Sequence, residues 1–261
     1  MDAARVSSAP ELTARRPAPA KSLIKSKARV QKHGEVFTPQ WMVEYMCDIV
    51  DSENPATRPT FSLTETILEP AAGDGNFLME ILERKLATAR QLHGMSLPVF
   101  EAHALLALSS IYGVELLTDN YEDCRNNLYQ RFGRIYTQVA TVLGKSVRNH
   151  VLEAAWAILG VNIINGNFLT KLDVRGNPIT IYWWHLSNDD DDGSGRLSLS
   201  KPPEPRDPSP FLLSFTTQPL AEVGQEPEHD LFSGTRPEPR PTTLRVTELT
   251  ADALAAEAVA A

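Results

Sequence analysis

The chain has 261 residues, 42% of them hydrophobic and 22% charged, with 25 Lys and Arg against 33 Asp and Glu for a formal net charge of -8. That balance is ordinary for a globular protein with room for a sizeable core. No apolar run approaches the roughly 20 residues of a membrane span and no signal-peptide-like apolar region opens the sequence, so a cytoplasmic protein with no membrane partner is expected. Two cysteines, Cys47 and Cys124, lie in helix-like apolar patterns, and His33, His93, His103, His150, His185 and His229 lack ligand spacing. Neither a disulfide framework nor a metal is expected from them.

Charge is unevenly distributed. Residues 1–32 carry Arg5, Arg15, Arg16, Lys21, Lys25, Lys27, Arg29 and Lys32 against only Asp2 and Glu11. With Ala, Pro and Ser between them and no apolar period, residues 1–30 read as a disordered basic arm, either touching phosphates or merely solvated. A folded domain is expected over 31–187. It opens with Glu35-Val36-Phe37-Thr38-Pro39, where a hydroxyl cap and a proline start a helix whose Met42, Tyr45, Met46 and Ile49 recur at helical spacing. Phe37 presents an aromatic ring to a ligand there, or serves only as a hydrophobic staple.

The next segment, residues 67–78, is Ile-Leu-Glu-Pro-Ala-Ala-Gly-Asp-Gly-Asn-Phe-Leu. It reads as a strand ending in a tight loop at a helix N-terminus, the place where nucleotide-like ligands dock in open α/β sheets. Gly73 and Gly75 let the backbone approach a ligand closely. Glu69 repels phosphate and attracts an ammonium group, which points to a nucleoside carrying an amino acid, S-adenosylmethionine.

Taken together and in this order, residues 35–39 and 69–78 resemble the paired motifs of the amino-type (N6-adenine) DNA methyltransferases of restriction-modification systems. The resemblance implies an S-adenosylmethionine pocket lined by Phe37, Thr38 and Pro39 from the first motif. From the second it implies Glu69, Ala71, Gly73, Gly75, Asn76 and Phe77.

Helical pattern continues from 76 to about 92, and a second apolar helix over 102–109 leads into a buried strand, Ile111-Tyr112-Gly113-Val114-Glu115-Leu116. A carboxylate at the end of the second strand of a Rossmann-like sheet accepts hydrogen bonds from ribose hydroxyls, and Glu115 stands there; the alternative is a strand-end charge facing solvent. A helix beginning at Thr118 follows, then one long helix over 137–158 that stops near Gly160. The strand at 161–169 resembles the family's third motif, in which an acid at the position of Asn167 binds the exocyclic amine of adenine and Phe168 covers the ring. Read without the resemblance, Asn167 is a turn residue and Phe168 a core residue. The strand at 178–184 brings Trp183 and Trp184, which stack on bases or divide between core and cover.

The family's Asp/Asn-Pro-Pro-Tyr/Phe loop is not recognisable. Asn177-Pro178-Ile179-Thr180 begins like it but leads into a strand, and Asp207-Pro208-Ser209-Pro210-Phe211 carries an intervening serine. From 188 onward an Asp run and dense prolines predict a disordered acidic tail, relieved by a short helix near 250–260. The sequence therefore predicts a Rossmann-like S-adenosylmethionine-dependent methyltransferase fold of the α/β class with disordered termini, and no catalytic residue is assigned. The implied function is adenine-N6 methylation of DNA, or the cofactor-binding subunit of such an enzyme beside a restriction, helicase or specificity subunit. A catalytically inactive cofactor-binding or interaction module is the alternative.

Overall fold

The computed structural model describes residues 23–52, 61–188, 211–223, 242–245 and 248–260. Their elements run α1 (Lys27–His33), α2 (Gln40–Ser52), β1 (Ile67–Glu69), α3 (Asn76–His93), α4 (Leu97–Ser109), β2 (Ile111–Glu115), α5 (Thr118–Val142) and α6 (Asn149–Asn162). There follow β3 (Ile163–Asn167), β4 (Leu172–Asp173), β5 (Thr180–Asn188), β6 (Phe211–Pro219), a 3-10 turn (Leu220–Glu222), β7 (Thr242–Arg245) and α7 (Ala251–Ala260).

The molecule is mixed α/β around a mostly parallel central sheet of order β1-β2-β3-β4. β2 pairs in parallel with β1, Glu69 opposite Gly113, and with β3, Glu115 opposite Asn165; β4 joins antiparallel. Parallel neighbours need long crossovers, supplied by α3 with α4 and by α5 with α6. All five residues of β2 are buried because both faces are covered. On one face a Cβ at Gly113 would come within 2.8 Å of Leu78 on α3. On the other, the Tyr112 hydroxyl donates to the carbonyl of Tyr182 on β5 at 2.6 Å.

α4 is apolar around most of its circumference, and Phe100 through Ser109 are all buried, among them Glu101, which pairs with Arg148. α3 shows a one-sided face, Leu78, Ile81, Leu82, Leu86 and Ala89, interrupted by a fully buried Lys85. Its ammonium donates to the carbonyls of Ser62 and Glu65 and to the Ser110 hydroxyl, tying the segment before β1 to the base of β2. Burial pushes that ammonium down to about 7.

The single helix expected over 137–158 is two. α5 ends because Gly144 takes a left-handed conformation (φ 64) and the Lys145 N–H reaches back to the Ala140 carbonyl, a Schellman closure. Gly160 does not stop α6, which continues to Asn162.

The expectation of a disordered tail from 188 is corrected. β5 and β6 pair antiparallel along nine residues each, and β7 adds to β6. Leu213 and Phe215 on β6, with Leu220, Leu249 and Leu254, join the same core as Tyr182 and Trp184. The Leu213/Phe215 alternation is a half-buried strand signal, obscured by the prolines just upstream. Residues 189–210 and 224–241 lie outside the described residues. The helix expected near 250–260 is α7. The basic arm is corrected likewise: residues 23–30 belong to the fold, α1 beginning at Lys27 under a Ser26 cap, and only 1–22 fall outside the described residues.

The two tryptophans divide between core and cover. Trp184 is buried and donates its indole N–H to Asn162 Oδ1 at 2.9 Å, while Trp183 is half-buried and donates to Gln218 Oε1 at 3.1 Å. No helix among the described residues is long and apolar enough to cross a membrane.

Phe215 stands 5.2 Å from the Tyr182 ring and 5.1 Å from that of Trp184, centroid to centroid. Phe215→Ala is expected to cost about 3–5 kcal/mol in urea unfolding, because the space it leaves is lined by rigid rings. A loss below about 1 kcal/mol would detach β6 from the core.

Candidate functional site

Three loops meet where β1, β2 and β3 end. The first follows β1. Ala72 donates its N–H to the Val114 carbonyl at 3.0 Å, and the Gly75 N–H returns to the Ala72 carbonyl at 2.9 Å, closing a tight turn before α3. Gly73 (φ 56) and Gly75 (φ 91) supply the left-handed conformations that turn requires. Gly75 has a second constraint, since a Cβ there would sit 2.9 Å from Cys124 Sγ on α5. Burial pushes that thiol well above its ordinary value. Asn127 on α5 donates to the Asp74 carbonyl at 2.9 Å, so the loop is clamped against α5 along its length.

Glu115 organises the second loop. One carboxylate oxygen accepts the Gly73 N–H and the other the Leu117 N–H, both at 2.8 Å, and the side chain is buried. It thus links the glycine loop to the first turn of α5, whose N-terminal dipole favours an anion and whose Leu117 cap has no side-chain acceptor. A carboxylate offers about four acceptor sites, so two remain.

Phe37, Thr38 and Pro39 lie over the same loop. The Phe37 ring comes within 3.6 Å of the place a Gly73 Cβ would occupy, and Asn76 donates to the Thr38 carbonyl at 3.2 Å. The Pro39 carbonyl accepts from Met42 at 3.0 Å and Val43 at 3.1 Å, starting α2. Glu69 accepts the Ala71 N–H at 3.1 Å through one oxygen and keeps the other at the rim; Ala71 is exposed and Phe77 half-buried.

The end of β3 is arranged differently from the expectation attached to it. Asn167 Oδ1 accepts from the Leu169 N–H at 2.9 Å and the Thr170 N–H at 3.4 Å, a local turn that engages the amide oxygen. The Phe168 ring lies under the Lys171 ammonium, 3.3 Å from its centroid. The residue that reaches the β2 rim is Asn165. Its amide nitrogen donates to the Glu115 carbonyl at 2.8 Å and the Leu116 carbonyl at 3.2 Å, and its oxygen accepts from the Thr118 hydroxyl at 2.9 Å. A polar residue in the middle of a short apolar strand was the available signal.

Sequence reasoning also missed the use of the arm's cations. Arg29 forms a bidentate pair with Glu35 and reaches Asp119 at 2.7 and 3.0 Å; Lys25 reaches Asp119 at 3.0 Å and Asp123 at 2.6 Å. Buried Asn120 donates to Glu35 at 2.7 Å. Residues 23–35 therefore strap across the first turns of α5, and the Phe37 N–H bonds to the Leu23 carbonyl at 2.8 Å. Arg29 beside them holds the Glu35 and Asp119 carboxyls below the usual carboxylate range.

No protein-family model, curated protein or solved structure matches the chain.

Asn177-Pro178 closes a hairpin, with the Asn177 N–H and the Arg175 N–H both on Asp173 Oδ1 at 2.8 Å. Of residues 207–211 only Phe211, the first residue of β6, is described. A separate cavity of about 520 Å3, lined by Met95, Leu97, Pro98, Leu143 and Lys145 among others, shares no residue with this rim.

Arg29→Met leaves the half-buried Glu35 carboxylate with only the Asn120 hydrogen bond and is expected to lower the urea midpoint at neutral pH. Both acids titrate lower in the folded chain than in the unfolded one. The wild-type advantage is therefore full above about pH 5 and fades progressively as pH falls through the ordinary carboxylate range toward the depressed folded values. An advantage that persists unchanged at low pH would contradict the ion-pair account.

Proposed function

We propose that the chain binds S-adenosylmethionine at the β1–β2 rim and is the cofactor-binding half of an N6-adenine DNA methyltransferase of the restriction-modification type, completed by another chain. One observation carries the reading. Phe37 and Gly73, drawn from the two segments that together resemble paired motifs of that family, pack against each other, and the same Gly73 donates its N–H to Glu115 at the carboxyl end of the central parallel strand. The order β1-β2-β3 is also the order found in one half of a doubly wound sheet.

The residues fit the ligand. Glu115 has acceptor capacity left for the ribose hydroxyls, the glycine loop admits close backbone approach, and Glu69 offers a carboxylate to the ammonium end. Phe37 supplies an apolar wall. The cofactor contributes the electrophilic methyl group; this chain contributes binding and orientation. Asn167, with its oxygen engaged in a turn, contributes less than its motif position implies.

Methylating adenine N6 further requires acceptors for the N6 protons and a surface for the flipped base. No loop of that kind occurs at a fourth parallel strand among the described residues, because β3 is followed by an antiparallel strand. That favours dependence on a partner for catalysis and DNA recognition. It equally favours the second reading, an inactive cofactor-binding module.

Isothermal titration should show saturable S-adenosylmethionine binding that Glu115→Ala weakens by about 1–3 kcal/mol, with Glu115→Gln intermediate and urea unfolding checking that each variant folds. The isolated chain is expected to methylate DNA feebly or not at all. Absence of binding, or a folded Glu115→Ala chain of unchanged affinity, would overturn the reading.

A further inference from the structure

The outward face of α2 is apolar. Trp41 is 65% exposed, Tyr45 60%, Val50 48%, Met46 44% and Ile49 42%, while within this helix only Val43 and Cys47 are buried. At about 100° per residue these five side chains and half-buried Met42 sweep an arc over about half the helix circumference, into which only Ser52 at the helix's C-terminal end intrudes. Surface helices carry charged residues there, and a contiguous exposed patch of aromatic and aliphatic groups marks an interaction site.

The border of the arc indicates what fits it. The same projection sets Asp51, Glu44 and Asp48 in a row beside Trp41, and α2 contains no Lys or Arg. Arg84 neutralises Asp48 at 2.7 Å, Glu44 meets the Gln40 amide at 3.0 Å, and Asp51 has no cationic partner among the described residues. An acidic border repels nucleic acid and anionic membranes and attracts basic protein side chains.

We infer that this face docks an amphipathic helix of another protein, seating its apolar side on Trp41, Tyr45 and Ile49 and its flanking Lys or Arg side chains on Glu44 and Asp51. Trp41 is two residues past Pro39, so the docked helix abuts the rim where Phe37 covers the glycine loop. The inference stands on the surface alone and does not depend on the cofactor.

Two peptides of about 20 residues, each with Leu on one helical face and either Lys or Glu on the other and neither containing Trp, test it on the full chain. Trp41 is the most exposed of the chain's four tryptophans, Trp156 and Trp184 each being 8% exposed and Trp183 half-buried, so its emission reports docking. The Lys peptide should give a saturable blue shift, and the Glu peptide should bind at least about tenfold more weakly. By anisotropy of a labelled Lys peptide, Trp41→Glu combined with Ile49→Glu should lose about tenfold or more in affinity. Its thermal transition should match wild type, both side chains being exposed. Five results would overturn the inference: no binding of the Lys peptide, equal binding of both peptides, binding indifferent to the double variant, self-association of the chain that the variant abolishes, or the same blue shift with anionic lipid vesicles.

Discussion

A carboxylate at the end of the central strand holds the functional end of this molecule together. Glu115 is buried, and its two oxygens take the N–H groups of Gly73 and Leu117. Those are donors that a left-handed glycine turn and a helix N-terminus would otherwise leave unsatisfied. One side chain thus fixes the loop after β1 relative to the first turn of α5. Everything else at the rim then falls into place around that bond: Phe37 rests on Gly73, Asn165 ties β3 to the Glu115 backbone, and the 23–35 strap pairs with acids on the same turn of α5.

What was legible in the sequence follows from where the local signal was unambiguous. The β1–loop–α3 segment could be read because its glycines, its strand-end acid and its apolar helical period agree, and the glycines do take left-handed conformations. Glu115 could be read because a buried strand ending in an acid is uncommon, although its hold on the Gly73 N–H was not foreseen. The paired strand β6 was hidden for a compositional reason. Its Leu213/Phe215 alternation follows a proline-rich stretch that reads as tail, and its partner, β5, ends 22 residues earlier in sequence, counting the residues between Asn188 and Phe211. Lys25 and Arg29 read as free charges, either touching phosphates or merely solvated, because Asp119 and Asp123, which they share as partners, lie about 90 residues away, and Glu35, the nearby partner of Arg29, carries no pairing signal of its own. Pairing across such a separation leaves no mark on composition or period.

The second sheet changes how the domain is understood. β5 meets the Tyr112 face of β2 while α3 covers the Gly113 face, so the central strand is buried without a fourth parallel neighbour among the described residues. The chain after β5 contributes core rather than only charge. With β1 left at the sheet edge among the described residues, the cofactor-like rim is built by one half-sheet and a strap.

Binding of S-adenosylmethionine at this rim requires Glu115, the glycine loop and the Phe37 segment to act as one unit. Amide hydrogen exchange of the full chain with and without S-adenosylmethionine measures that directly. The cofactor should slow exchange together in residues 35–38, 71–77 and 115–118 while leaving β5 and β6 unchanged. Protection confined to any one of these segments, or appearing instead around the cavity at Met95 and Lys145, would contradict it.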